Sequence, residues 1–228
     1  MNPATGPLLV LRQRIRQATA DEVEARWKLL VQQLETLARV TAQELARKGT
    51  PDPAVLRSEV DSLQRSVHEV SSGSVELFAC GLTLQELSGR AAVGRRPRAM
   101  RSAAMKTVER VRLDARTLFE WAKADLWTGV ARRAVVEANR TALDLERETP
   151  ATLCRVRRNL ARIPGQSRSG DELTQVAEDL AFHELGRILS VGHGLRLPTR
   201  SHPLQQVGVR SARGVLSRLA PRLRRVAA

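Results

Sequence analysis

Apolar side chains recur with alternating spacings of four and three residues early in the chain. The series consists of Val23, Trp27, Leu30, Leu34, Leu37 and Thr41. This period places side chains on one face of a helix. Residues 19–22 (TADE) fit the capping box that opens a helix, and Gly49 can take the left-handed conformation that closes one. The pattern predicts a helix of about 25 residues that ends at Lys48-Gly49.

A second apolar series follows after a short turn. Asp52-Pro53 is typical of a helix start, and Leu56, Val60, Leu63, Val67 and Val70 continue with the same spacing. The two series predict a helical hairpin, and residues 71–74 (SSGS) separate it from a shorter apolar helix. That third helix would carry Val75, Phe78, Leu82 and Leu87. Each seam is near the lower limit for a coiled coil, so packing within one chain and packing between chains both stay open.

The middle of the chain predicts a long helix. From Arg98 to Glu148 there is no proline and a single glycine, Gly129, so the segment is either one helix or two collinear helices broken near Thr128-Gly129. The predicted apolar stripe consists of Met100, Ala104, Val108, Val111, Ala115, Leu118 and Ala122. The predicted basic flank beside it consists of Arg98, Arg101, Arg112, Arg116 and Lys123.

Three further helices are predicted in the last third of the chain. Thr149-Pro150 opens a short one, whose Leu153, Val156, Leu160 and Ile163 face away from Arg155, Arg158 and Arg162. Asp171-Glu172 begins the next, which runs to about Ser190. The last starts near Pro203, with Leu204, Val207, Val215, Leu216 and Leu219 available to dock and Arg210 and Arg213 on the opposite side.

Composition agrees with a helical fold. The chain has 228 residues, of which 42% are hydrophobic, so it can form a substantial core and is not expected to be disordered. Aromatic residues make up only 3% and tyrosine is absent, which disfavours sheet. We expect an all-α helical bundle with an N-terminal helical hairpin, a long central helix and basic C-terminal helices.

The net charge of +14 is unevenly distributed. Residues 1–89 carry 10 basic and 11 acidic side chains, whereas residues 90–228 carry 28 basic and 13 acidic ones. The stretch 89–106 (GRAAVGRRPRAMRSAAMK) has five arginines, one lysine and no acid. Charge therefore predicts three regions: a near-neutral association module at 1–89, a basic helical core at 90–190, and a basic loop and helix or tail at 191–228.

No residue pattern predicts catalysis, a metal site or a cofactor. His68-Glu69 and His183-Glu184 begin the zinc-protease pattern, but neither has a second histidine four positions after the first. Cys80 and Cys154 lack metal-ligand spacing, and we expect both to be buried, reduced thiols. The apolar run near the amino terminus is too short for a secretory signal or membrane span, so an intracellular, soluble protein is expected.

Acid-free basic segments favour a polyanionic partner. The arginines expected to contact it are Arg90, Arg95, Arg96, Arg98, Arg101, Arg112, Arg116, Arg155, Arg158, Arg162, Arg210 and Arg213. Aromatic residues are too few for a base-stacking platform, and we expect Trp27, Phe78 and Phe119 to lie in the core. Phosphate contacts without base reading are therefore predicted, with strong salt dependence.

Three short motifs, in order along the chain, carry a resemblance to a known family. Residues 94–100 (GRRPRAM), residues 152–156 (TLCRV) and His202-Pro203 resemble motifs in nucleocapsid proteins of the phlebovirus and tenuivirus type. Those are helical proteins that coat viral RNA and self-associate through an amino-terminal arm. The resemblance implies that Arg95, Arg96, Arg98 and Arg155 face an RNA groove and that the protein resides in a virion.

The function predicted from the sequence is a nucleocapsid-like packaging or coat protein. It would bind RNA or DNA, of which RNA is the more expected partner, without sequence selectivity, and would self-associate into an oligomer or filament. The main alternative is a structural or adaptor protein whose basic helices lie on an anionic membrane or an acidic partner. An enzyme would need a site assembled in space from His183 or His193 with Cys154 or a carboxylate, and we do not expect one.

Overall fold

The computed structural model describes residues 6–48, 52–66, 72–91, 101–161, 171–191 and 202–219. Within these ranges the regular secondary structure consists entirely of helices, which confirms the all-α prediction. The helices are α1 (Gly6–Lys48), α2 (Pro53–Ser66), α3 (Ser72–Ala91), α4 (Arg101–Glu146), α5 (Pro150–Leu160), α6 (Glu172–Val191) and α7 (His202–Leu219). None of these described helices is long and apolar enough to cross a lipid bilayer.

The first helix is longer than the sequence predicted. Helix α1 begins at Gly6 and contains 43 residues, so the start placed near Thr19 was wrong. Leu11 and Ile15 are almost completely buried, and their burial stabilises the turns that precede Thr19. Thr19 and Glu22 are themselves buried inside the helix and do not cap it. The predicted end at Lys48 is confirmed.

Helix α2 begins where it was predicted, whereas α3 begins at Ser72, so the break predicted over residues 71–74 was placed too far along the chain. The Asp52 carboxylate accepts a hydrogen bond of 2.9 Å from the backbone N–H of Ala54, which caps α2. The predicted apolar face of α2 is buried through Leu56, Val60 and Leu63, whereas Val67 and Val70 lie outside the described residues. On α3, the buried positions include Val75, Phe78 and Leu87, and Leu82 is partly buried.

Helix α4 is a single continuous helix of 46 residues, so the first of the two predicted alternatives is correct. Gly129 does not interrupt it, although glycine weakens a helix interior by roughly 1 kcal/mol. A Cβ atom at this position would lie 2.2 Å from Oε1 of Glu22, so the missing side chain makes room for that buried carboxylate. Met100 and Arg98 fall outside the described residues.

The three C-terminal helices confirm the predicted starts. Thr149 caps α5 ahead of Pro150, and the Asp171 carboxylate accepts a 2.9 Å hydrogen bond from the backbone N–H of Thr174 to cap α6. The predicted docking face of α7 was partly wrong, because Val207 is 38% exposed. Gly208 lies on the docking face instead. It packs so closely against the Trp127 ring that a Cβ atom on it would be 2.4 Å from the ring.

The chain forms two compact units that interleave along the sequence. Unit 1 contains Met1–Ala25 and Ala124–Val215, and unit 2 contains Arg26–Lys123 and Leu216–Ala228. Helices α1 and α4 are long enough to contribute residues to both units. The boundaries between the two packed units therefore differ from the boundaries between the three charge regions, which were placed after residue 89 and after residue 190.

The predicted seam of α1 ranges from partly to completely buried within the chain. Leu30 and Leu34, both in unit 2, have no exposed surface. The same unit contains a cluster that joins four helices, formed by Ala42, Leu56, Leu84, Leu87 and Ala104. Phe78 and Phe119 lie in the core as predicted, and Trp27 is partly buried. Of the two arrangements that the sequence left open, packing within one chain is the one observed.

An internal structural repeat, which the periodicity and charge patterns did not predict, relates α1–α3 to α4–α6. The helix lengths are 43, 14 and 20 residues in the first set and 46, 11 and 20 in the second. Nine buried positions of α1 have buried counterparts on α4, 100 residues later: Leu11, Ile15, Thr19, Glu22, Leu30, Leu34, Ala38, Thr41 and Ala42 correspond to Val111, Ala115, Phe119, Ala122, Val130, Ala134, Ala138, Thr141 and Ala142. The two long helices therefore bury the same face in the same register.

The repeat is also visible in residue identities. At the 100-residue offset, Arg12, Arg16, Trp27, Ala38, Thr41, Ala42 and Leu45 recur as Arg112, Arg116, Trp127, Ala138, Thr141, Ala142 and Leu145. On the shorter helices, Pro53-Ala54 recurs as Pro150-Ala151 at the first positions of α2 and α5. Self-similarity at an offset of about 100 residues is therefore a signal that the amino-acid sequence itself contains.

Candidate nucleic-acid interface

Helix α5 presents two arginines that no carboxylate of the described residues neutralises. Val156 is completely buried, and Arg157 donates a 2.5 Å hydrogen bond to the backbone carbonyl of Leu189 near the end of α6. These contacts show which face of α5 points into the protein, because side chains three or four positions apart lie on the same face of a helix. Arg155 and Arg158 are exposed, and neither has a carboxylate partner among the described residues.

Helix α7 presents a second pair with the same spacing. Gly208, Ser211 and Ala212 are buried, which places Arg210 and Arg213 on the exposed side as predicted. Neither arginine has an acidic partner within the described part of the chain. Cβ atoms three residues apart on a helix are about 5–6 Å from one another, so each pair concentrates two positive charges on a small area.

The predicted arginines of α3 and α4 differ from those of α5 and α7, because each of them forms an ion pair with a carboxylate. Nε of Arg101 lies 3.2 Å from Oε1 of Glu59, and the Arg90 guanidinium lies 3.8 Å from the Glu86 carboxylate. Arg112 also pairs with Glu109 at 3.1 Å. Pairing reduces their net positive potential, so these positions do not form the acid-free edge that the sequence predicted.

Arg112 and Arg116 share a further partner, the carboxylate of Glu76 on α3. Their Nε atoms lie 3.0 Å and 3.1 Å from its two oxygens. The Glu76 side chain is only 2% exposed, so the two guanidiniums compensate the cost of burying its charge. Four other predicted arginines, Arg95, Arg96, Arg98 and Arg162, lie outside the described residues.

Sequence reasoning missed several arginines of unit 1. Arg132 and Arg140 on α4 are exposed, and neither has a carboxylate partner among the described residues. Arg12 and Arg16 were overlooked because they belong to the near-neutral part of the chain, yet both contact the buried carboxylate of Glu178. Their recurrence as Arg112 and Arg116 was the sequence signal that could have identified them.

The two cysteines lie in opposite environments, so the expectation that both are buried was half wrong. Cys80 is 2% exposed, whereas Cys154 is exposed on α5 next to Arg155. Burial raises the pKa of the Cys80 thiol to about 12. Both thiols are free in the structure.

A thiol titration of the folded protein should therefore detect one reactive cysteine per chain. Because the thiolate is the reactive form and Cys80 is both buried and protonated, Ellman's reagent at pH 8 should modify one thiol per chain quickly and both in 8 M urea. Replacing Cys154 with serine should abolish the fast phase. Fast modification of both thiols in the native protein would contradict the burial of Cys80.

The acidic and histidine residues do not converge on a metal site in the described part of the chain. No group of three or more His, Cys, Asp or Glu side chains there is placed to hold a metal ion. Glu184 instead forms an ion pair on its own helix, and the hydrogen bond from Arg187 holds its pKa below the usual range. His68 and His193 lie outside the described residues.

Comparison of the chain with protein-family models, with curated proteins and with solved structures found no significant match. The resemblance to viral nucleocapsid proteins therefore stays a prediction from short motifs.

Proposed function

We propose that this protein binds nucleic acid without sequence preference, through phosphate contacts made by the exposed arginines of α5 and α7. One observation carries the proposal: these arginines have no carboxylate partners among the described residues, whereas the predicted arginines of α3 and α4 do. An unpaired guanidinium needs no internal ion pair to break before it binds a phosphate, and its fork geometry suits phosphate oxygens.

The exposed face of α5 favours nucleic acid over a lipid surface. A helix that lies in a membrane interface needs a lipid-facing apolar side, commonly with Trp or Phe. On α5 the exposed positions are Pro150, Ala151, Cys154, Arg155 and Arg158, and the large apolar residue Val156 is directed into the protein. The basic face of α5 therefore supplies charge without an apolar anchor.

The test is the salt dependence of binding by the full-length protein. A fluorescein-labelled single-stranded oligonucleotide would be titrated at several salt concentrations, with fluorescence anisotropy as the readout. About four phosphate contacts predict that the logarithm of the binding constant falls with that of the salt concentration at a slope near −3. Oligonucleotides of two unrelated sequences should bind within about threefold of one another because guanidinium–phosphate contacts do not read bases.

The result that would overturn the proposal is an oligonucleotide affinity too weak to measure near 0.05 M salt. Anionic vesicles provide the matched comparison for the alternative membrane function. Tight vesicle binding without oligonucleotide binding would favour the membrane-associated adaptor.

Assembly into a coat is the second part of the sequence-based expectation, and it needs a surface other than the α1 seam. Leu30 and Leu34 are already buried within the chain. The exposed apolar residues Leu9 and Val10 on α1, in unit 1, could supply part of such a surface. We propose assembly only in the presence of nucleic acid, and light scattering with and without oligonucleotide measures it directly.

A further inference from the structure

The exposed side of α4 in unit 1 carries arginine and large apolar side chains in alternation. The series consists of Arg132, Val136, Arg140 and Leu143. Spacings of four, four and three residues place these side chains along one side of the helix. Ala134, Ala138 and Thr141 are buried on the other side, so the packing of α4 holds the series outward. We call these four residues the α4 stripe.

The arginines of the α4 stripe are available to an external anion. Arg132 and Arg140 are exposed, and neither has a carboxylate partner within the described part of the chain. The acids next to the stripe in sequence, Glu137 and Asp144, lie 3.9 Å and 3.4 Å from Nη1 of Arg14. Two further exposed acids follow beyond its end, Glu146 and Glu148. The stripe itself therefore carries two positive charges and no negative one.

The apolar residues of the stripe are exposed to an unusual degree. Val136 and Leu143 are 57% and 61% exposed. Apolar side chains that alternate with unpaired arginines favour a partner with both anionic groups and apolar surfaces. Single-stranded nucleic acid has both, because its bases are not enclosed in a duplex. A lipid surface fits less well, since two aliphatic residues without Trp or Phe provide little of the apolar side that an interfacial helix needs.

The first repeat shows that the fold does not require this pattern. At the 100-residue offset the α4 stripe corresponds to Gln32, Thr36, Val40 and Gln43. The buried faces of α1 and α4 match in register, whereas this series on α1 has no charge and a single apolar residue. The alternation therefore belongs to the second repeat alone, which favours a role in binding over a role in helix packing.

We propose that the α4 stripe is a binding track for single-stranded nucleic acid, in which Arg132 and Arg140 contact phosphates and Val136 and Leu143 pack against base faces. This proposal rests on the proposed function and adds to it the strandedness of the ligand. Packing against a base face does not depend on base identity, so sequence preference stays weak. Arg132 and Leu143 are eleven positions apart, which is about 16 Å of helix and the length of about five stacked nucleotides.

A single strand compared with its duplex tests the proposal through the sign of the difference in affinity. Charge alone favours the duplex, because its two strands space the phosphates more densely. Base contacts favour the single strand. We expect a single strand of about 20 nucleotides to bind about fivefold more tightly than the duplex of the same sequence at about 0.15 M salt. Equal or tighter binding of the duplex would overturn the proposal.

Val136→Ala combined with Leu143→Ala removes the apolar part of the stripe and keeps its charge. Alanine favours helix, so circular dichroism should stay unchanged. Affinity for the single strand should fall about fivefold, and affinity for the duplex should not change. Leu29→Ala combined with Val40→Ala is the control, since it removes the same two side-chain types, 41% and 46% exposed, from α1. Equal losses in the two double variants would exclude the base contacts.

Arg132→Gln combined with Arg140→Gln tests the phosphate contacts. This variant should bind the single strand about 30-fold more weakly. Arg57→Gln combined with Arg65→Gln on α2 is the control of equal charge, because these exposed arginines flank the exposed carboxylate of Asp61 at four-residue spacing. The control should lose no more than about threefold. A control loss as large as that of the stripe variant would reduce the effect to net charge and overturn the proposal.

An abasic strand of the same length distinguishes failure of the stripe from failure of the proposed function. It keeps the phosphates and lacks the bases, so it should bind about fivefold more weakly than the intact strand and should not respond to the alanine substitutions. Equal binding of the two strands would leave the proposed function and remove the base contacts. If neither strand binds, the proposed function itself fails. Anionic vesicles whose binding the alanine variant weakens, with strand binding unchanged, would assign the stripe to a lipid surface instead.

Discussion

Replacement of Arg155, Arg158, Arg210 and Arg213 with glutamine is expected to weaken oligonucleotide binding by about 1,000-fold at 0.15 M salt, if each phosphate contact contributes about 1 kcal/mol. All four side chains are exposed without a carboxylate partner in the described part of the chain, so the substitution breaks no internal ion pair. Fluorescence anisotropy with the labelled oligonucleotide measures the change, and the thermal midpoint should stay within a few degrees of the original protein.

The control variant removes the same number of positive charges from arginines outside α5 and α7. Arg90, Arg101, Arg110 and Arg187 each pair with a carboxylate, and their joint replacement with glutamine also lowers the net charge by four. This variant should lose far less affinity than the first. If both variants lose affinity equally, binding depends on overall charge and the faces of α5 and α7 have no special role.

Leu34→Asp is expected to unfold unit 2. Leu34 has no exposed surface, and an unpaired carboxylate at such a position costs more than about 4 kcal/mol, which is a large part of the stability of an ordinary domain. Urea unfolding followed by circular dichroism should show a lost or strongly shifted transition. Leu29→Asp, on the same helix at a position that is 41% exposed, is the control and should change the free energy of unfolding by less than about 1 kcal/mol.

The same pair of variants decides between the two packing arrangements that the periodicity left open. If the α1 seam joined separate chains, Leu34→Asp would reduce particle size while helicity and the urea midpoint stayed unchanged. The burial of Leu34 within a single chain predicts loss of structure instead.

Helix starts were most predictable where a short-range interaction fixes them. The Asp52, Thr149 and Asp171 side chains each accept a hydrogen bond from a nearby backbone N–H, so residues close in sequence determine these boundaries. The start of α1 was not predictable in this way. Residues 19–22 have the residue types of a capping box, but burial of Leu11 and Ile15 extends the helix through them.

The basic site was only partly predictable. Spacing along α5 and α7 correctly placed Arg155, Arg158, Arg210 and Arg213 on exposed faces. Spacing alone did not distinguish these four arginines from the arginines of α4, because helical spacing cannot reveal a carboxylate that belongs to another helix. Glu76 and Arg116 are 40 residues apart, and only the packing of α3 against α4 brings them to 3.1 Å.

The sequence by itself determined the helical class, most helix boundaries and the side of each C-terminal helix that its arginines occupy, because caps and helical periodicity act over a few residues. The tertiary structure decided which arginines are neutralised, why Gly129 is tolerated inside α4, and how α1 and α4 are shared between two units. Those outcomes depend on which helices pack together and which buried carboxylates they bring into contact with arginines. Such contacts join residues as far apart in the sequence as Arg16 and Glu178, which is beyond the range of any local pattern.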